Sequence, residues 1–103
     1  MLQTNSSLLD FGEIKEGVPL KGSFKVLNTY PQEIEVSRIT SSCGCTLIKS
    51  ETKVLGQNES LDVKFELNTK NRKGDVIKTI HIRYVLNGRE EVFSQKFKVK
   101  VIA

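Results

Sequence analysis

The chain of 103 residues has no tryptophan, one histidine, one methionine, two prolines and two cysteines. Each scarcity excludes something. Two cysteines one residue apart are too few for the disulfide framework that holds small secreted domains together. The fold must therefore rest on a hydrophobic core, and a chain of this length can bury one. No stretch approaches the roughly 18 consecutive apolar residues of a membrane span. Met1 to Ser7 lacks a positively charged start and an apolar centre, so no secretory signal is read there. No segment of ten or more residues repeats apolar positions at i, i+3, i+4 and i+7, which removes amphipathic helices from the expected fold. Nucleophile elbows, phosphate loops and paired catalytic carboxylates are missing as well. Charge of one sign is also scarce: 16 basic against 12 acidic residues leave a net +4 with no basic run, a balance that suits solubility as well as attraction to an anionic partner.

What is there is strand patterning. Leu20, Gly22, Phe24 and Val26 alternate with Lys21, Ser23 and Lys25, and Leu61, Val63, Phe65 and Leu67 alternate with Asp62, Lys64 and Glu66, the period of two of half-buried strands. Ser7 to Ile14 reads as a short strand broken by Gly12, and Glu16-Gly17-Val18-Pro19 as a turn. Asn28-Thr29-Tyr30-Pro31 ends the next strand, since proline lacks the ladder donor. In Glu33 to Ile39, Ile34 and Val36 are in register and Ile39 is out by one residue, which predicts a bulge or bend just before the cysteines. Thr46 to Lys49 and Thr52 to Leu55 are short and mixed, as edge or sheet-switching segments are.

Asp75 to Leu86 and Arg89 to Ile102 are the longest strands, and Asn87-Gly88 between them is a tight-turn signal because both residues tolerate positive φ. Pairing Leu86 with Arg89 sets Tyr84 opposite Glu91, Ile82 opposite Phe93, Ile80 opposite Gln95 and Val76 opposite Val99, with most apolar side chains on one face. Lys78 opposite Phe97 is the exception, and it predicts a wet end or a bulge. The core should include Phe24, Val26, Val63, Phe65, Ile80, Ile82, Phe97 and Val99. Short strands with frequent turns predict an all-β fold, an immunoglobulin-like antiparallel β-sandwich of about seven strands, although the cysteine and tryptophan spacing of antibody domains is absent. Residues 1–103 are expected to form a single immunoglobulin-like domain.

The candidate functional motif is Cys43, Gly44, Cys45 and Thr46, within Thr40 to Leu47. Three roles are open for the pair. Residues i and i+2 of an extended strand lie about 6.5 to 7 Å apart at Cα, near the outer limit for a disulfide, so bonding would need a kink at Gly44. Two thiolates could instead hold a soft metal such as Cu(I), but His81 is not placed near them by sequence. The plainest role is that of two small, partly buried residues at a strand bend. A bond made through a kink would be strained, so the pair is expected to be mostly reduced under mild reductant. His81 falls on an outward strand face between Ile80 and Ile82, and no acid with a matching base can be assigned to it. Lys96, Lys98 and Lys100 make a basic stripe whose neighbours Phe93 and Phe97 point inward, a pattern of solubility and edge protection and not of nucleic-acid binding.

Three motifs in order carry a resemblance: Leu9-Asp10-Phe11-Gly12-Glu13-Ile14-Lys15-Glu16-Gly17, then Phe24-Lys25-Val26-Leu27-Asn28-Thr29, then Ser42-Cys43-Gly44-Cys45-Thr46. Together they resemble the bacterial family known as domain of unknown function 1573, over residues 8 to 101. The resemblance implies an immunoglobulin-like sandwich akin to Hydin-type and major sperm protein domains, in proteins that often follow an export or lipoprotein leader. Tyr30 and Gly56-Gln57-Asn58-Glu59 depart from the family pattern in two loops. The family carries no established activity. The expectation is a non-catalytic interaction or structural module of an exported bacterial protein, in the periplasm or cell envelope, with no catalytic residue, metal or cofactor. Its partner is expected to be another protein, not nucleic acid, with a membrane reached only through a leader or lipid anchor outside this chain. The alternative is a thiol redox or soft-metal protein using Cys43 and Cys45.

Overall fold

The structure is a computed structural model that describes residues 2–4 and 6–103. Met1 and Asn5, part of the Met1 to Ser7 stretch read above, lie outside the described residues. The described residues form nine strands: β1 (Leu2–Gln3), β2 (Leu8–Lys15), β3 (Leu20–Asn28), β4 (Ile34–Ser41), β5 (Thr46–Ile48), β6 (Val54–Leu55), β7 (Ser60–Leu67), β8 (Gly74–Leu86) and β9 (Arg89–Ile102). They form a four-stranded sheet ordered β1-β3-β7-β5 and a five-stranded sheet ordered β2-β9-β8-β4-β6. The sandwich is immunoglobulin-like, and no helix occurs among the described residues. The count exceeds seven because β1 and β6 are two-residue edge pieces too short to show alternation. The fold is also not wholly antiparallel, since β2 runs parallel to β9.

Local sequence accounts for most of the register. β8 and β9 pair without interruption from Gly74↔Val101 to Leu86↔Arg89. Asn87 and Gly88 take φ of 51° and 77°, the two left-handed residues that a two-residue hairpin turn demands. Lys78 faces Phe97 with no bulge, so the inward lysine marks a wet end: it is half-buried and lines a depression with Asn71, Arg72 and Lys73. The parity slip in β4 is a register shift between Val36 and Arg38 that returns Ile39 to the inner face opposite Ile82. Gly12 does not break β2; with φ of 75° it accommodates a shift between Asp10 and Glu13.

The eight expected core residues are all buried. Phe65 of β7 and Phe97 of β9 join the sheets with ring centroids 4.5 Å apart, and Phe11 and Phe24 pack on Phe65 at 5.8 and 6.3 Å. Gly22, opposite Phe65 on β3, is required by this stack, because a Cβ there would lie 2.5 Å from the Phe65 ring. Lys96, Lys98 and Lys100 do not guard an edge. β9 is an interior strand, and Lys98 and Lys100 face Asp10 and Glu13 of β2, so the stripe is flanked by acid on the solvent face.

Candidate functional site

Chain direction gathers three connections at one end of the sandwich: the β2–β3 turn, the β4–β5 crossover that carries the cysteines, and the β7–β8 loop. The crossover takes the chain from the five-stranded to the four-stranded sheet. Its start is tied to β8 by Ser42 N donating to Thr79 O at 2.9 Å and by Thr79 N donating to Ser42 Oγ. Its end is tied to β7 by Asn68 N donating to Cys45 O at 2.9 Å, which extends the Thr46↔Leu67 pairing by one residue.

Thr69 locks the third connection. Its side chain is buried, and its hydroxyl donates to Val18 O at 2.7 Å while accepting from Gly17 N at 3.0 Å. Val18 N donates to Lys15 O at 3.1 Å, and Gly17 takes φ of 90°, which closes the expected turn. Pro19, Cys45 and Asn68 then stand side by side on the outer face, one row beyond Leu20, Thr46 and Leu67. With Gly17, Leu47 and Glu66 they line a depression of about 360 Å³. Leu47, 59% exposed, and the exposed Pro19 give the depression an apolar wall on either side of Cys45, and Val18, 49% exposed, sits in the adjoining turn.

Cys43 and Cys45 are joined as a disulfide with their Cα atoms 5.2 Å apart. This corrects the reading of two small, unbonded residues at a bend. The segment turns at Gly44 and Cys45, and Thr46 N donates back to Cys43 O at 3.2 Å, which brings the Cα atoms well inside the extended spacing. The kink falls where it was expected but not for the glycine's sake: Gly44 has no positive φ, and a Cβ there would meet nothing within 4 Å. Thr46 is buried, with Oγ1 4.0 Å from Cys45 Sγ. Joined to each other, the sulfurs are not a thiolate pair for a soft metal, and no group of three His, Cys, Asp or Glu that could share an ion stands together among the described residues.

Two residues that sequence reasoning passed over complete the site. Arg72, in a loop read only as polar, places Nη2 3.8 Å from Cys43 Sγ and is held there by Nε donating to Asn68 O at 3.1 Å. It forms no ion pair among the described residues. Thr69 was equally hidden, since a threonine in a polar loop gives no sign of burial. Glu66, beside the depression, has its carboxyl held below the ordinary carboxylate range, first by its hydrogen bond with Lys49, the two lying 3.0 Å apart. His81 is away from this end, on the outer face of β8, where Nδ1 meets Ser94 Oγ at 2.9 Å because the two are direct register partners.

Comparison with known proteins follows the same fold. The family described as Protein of unknown function (DUF1573) matches residues 2–101. No curated protein matches the chain. Among solved structures, the VesB protease of Vibrio cholerae aligns with TM-score 0.79 at 13% identity over 96% of this chain, and this chain spans 31% of it. The PapD-like domain 7 of human CEP192 aligns with TM-score 0.75 at 7% identity, over 98% of this chain and 84% of that one. The E. coli chaperone DraB aligns with TM-score 0.68 at 8% identity, over 96% and 54%. At such identities the likeness is one of fold: a PapD-like, immunoglobulin-like sandwich.

Proposed function

The chain belongs to the Protein of unknown function (DUF1573) family, and from that premise we propose that it is a non-catalytic interaction module of an exported bacterial protein, docking another protein with its disulfide-bearing end. The observation that carries this reading is the apolar wall of Pro19 and Leu47 beside Cys45, exposed yet mounted on backbone that Thr69, Asn68 and the Cys43–Cys45 bond hold in place. Exposed apolar side chains on a fixed frame suit binding, because little conformational freedom is lost when a partner covers them. The disulfide supports export, since such bonds persist in oxidising compartments. A PapD-like fold, shared with the chaperone DraB, is in keeping with a protein partner.

The test is site-directed photocrosslinking in cells that make the protein, with the photoreactive residue at position 47 or at position 92. Val92 is comparably exposed, but on the outer face of the other sheet. The reading expects a discrete protein adduct from position 47, in the envelope fraction, and none from position 92. Adducts from position 92 alone, or a protein confined to the cytoplasm, would refute it.

A further inference from the structure

We infer that Cys43–Cys45 is a thiol–disulfide exchange site, taking a cysteine carried on an apolar polypeptide segment, with Cys45 the sulfur attacked and Cys43 the sulfur that leaves. For its partner this rests on the docking reading of the same end; for its chemistry it rests on an asymmetry between the two sulfurs. Cys43 Sγ accepts a hydrogen bond from Cys45 N at 3.1 Å and has the Arg72 guanidinium at 3.8 Å. Arg72 has no carboxylate partner among the described residues, so its charge is free to meet a negative sulfur. Cys45 Sγ has, among the described residues, only the Thr46 hydroxyl, at 4.0 Å. Negative charge released on reduction is therefore stabilised on Cys43, and the sulfur whose thiolate is better stabilised is the better leaving group.

Access agrees with that polarity. Cys45, half-buried, lines the open depression between Pro19 and Leu47, which gives an incoming sulfur an approach to it. A thiolate attacks Cys45 Sγ, and its electron pair forms the new S–S bond while the pair of the old bond leaves on Cys43 Sγ, facing Arg72. A second thiolate, from the same segment or another molecule, then attacks the partner's sulfur in the mixed disulfide and releases Cys45. In sum two thiols are oxidised to one disulfide and the protein pair is reduced to two thiols, which take up the two protons. The exposed Leu47 and Pro19 favour a cysteine with apolar neighbours over a small hydrophilic thiol.

The test uses the purified oxidised protein and three thiols: glutathione, a cysteine peptide flanked by leucines and the same peptide flanked by serines. Acid trapping and peptide mapping should find the mixed disulfide on Cys45 in at least nine molecules of ten, by the roughly tenfold preference that 1.4 kcal/mol confers. After reduction, Cys43 should alkylate at pH 6 about tenfold faster than Cys45. Arg72→Gln should lower the equilibrium constant for reduction by glutathione about tenfold, equivalent to about 30 mV, and Arg72→Lys should restore part of it. The leucine peptide should react about tenfold faster than the serine peptide, and Leu47→Ser should close that gap.

A mixed disulfide on Cys43, or a pair that resists excess glutathione, would overturn the exchange chemistry; both are read on the wild type, so a variant that fails to fold does not protect the idea. Equal rates for the two peptides would overturn the polypeptide assignment. Binding of the leucine peptide to the Cys43→Ser, Cys45→Ser protein reports on docking alone, which keeps failure of the module reading distinguishable from failure of the chemistry.

Discussion

The two ends of the sandwich are each tied by a buried polar side chain, but they are finished differently. At the hairpin end Asn28, fully buried, donates from Nδ2 to Gln32 O, Leu55 O and Gly56 O, each at 3.1 Å, and accepts from Tyr30 N at 3.0 Å. Tyr30 then packs on Tyr84 with hydroxyls 3.1 Å apart. At the disulfide end Thr69 makes two such bonds, and the apolar side chains of Val18 and Leu47 remain exposed. One end is sealed by aromatic side chains and the other presents apolar surface, so two similar anchoring devices produce a closed end and a docking end.

The largest effect should come from the core that both ends share. Phe65→Ala removes a ring that touches Phe11, Phe24 and Phe97, and should cost about 3 to 5 kcal/mol in denaturant unfolding. A cost under 1 kcal/mol would mean that the sheets are not joined there. Asn28→Ala should follow at about 3 kcal/mol, because it leaves the buried Leu55 carbonyl without a donor and removes three further, partly buried hydrogen bonds. Thr69→Val keeps the shape and loses two hydrogen bonds, at about 1 to 2 kcal/mol. The contrast between the ends breaks if Thr69→Val proves as costly as Asn28→Ala.

Cys43→Ser with Cys45→Ser should cost about as much as Thr69→Val and about half as much as Asn28→Ala. Closing a three-residue loop removes so little unfolded-state entropy that chain-entropy reasoning gives about 1.6 kcal/mol. Reductant added to the wild type should reproduce most of that loss, whereas a double variant that cannot fold would show the bond to be a structural necessity. The smallest effect at neutral pH belongs to Tyr84. Burial, and then its hydrogen bond with Tyr30, push its phenol well above the ordinary value. A group whose folded value is raised gives stability that is complete below its unfolded value of about 10 and is lost as pH rises through the folded value. Alkaline unfolding curves should therefore show the wild type losing stability above pH 10 relative to Tyr84→Phe, and parallel curves would count against the buried hydroxyl pair.

Periodicity and turn chemistry by themselves determined the all-β class, the hairpin register from Leu86↔Arg89 to Val76↔Val99, the bend in β4 and the eight core residues, because side chains at spacing two must all take the same face. Only the tertiary structure decided the parallel seat of β2 beside β9, which makes β9 an interior strand, since strand order depends on contacts between residues some ninety positions apart and leaves no local trace. The same holds at the site. Cys43, Gly44, Cys45 and Thr46 stood out in the sequence, but whether two cysteines at i and i+2 bond depends on how far the crossover kinks between its two anchors, Thr79 on β8 and Asn68 beyond β7. Arg72 and Thr69 gave no signal because an arginine in a polar loop resembles any solvated charge and a threonine any surface hydroxyl; the fold of the β7–β8 loop against the crossover and the β2–β3 turn is what sets one against a sulfur and buries the other.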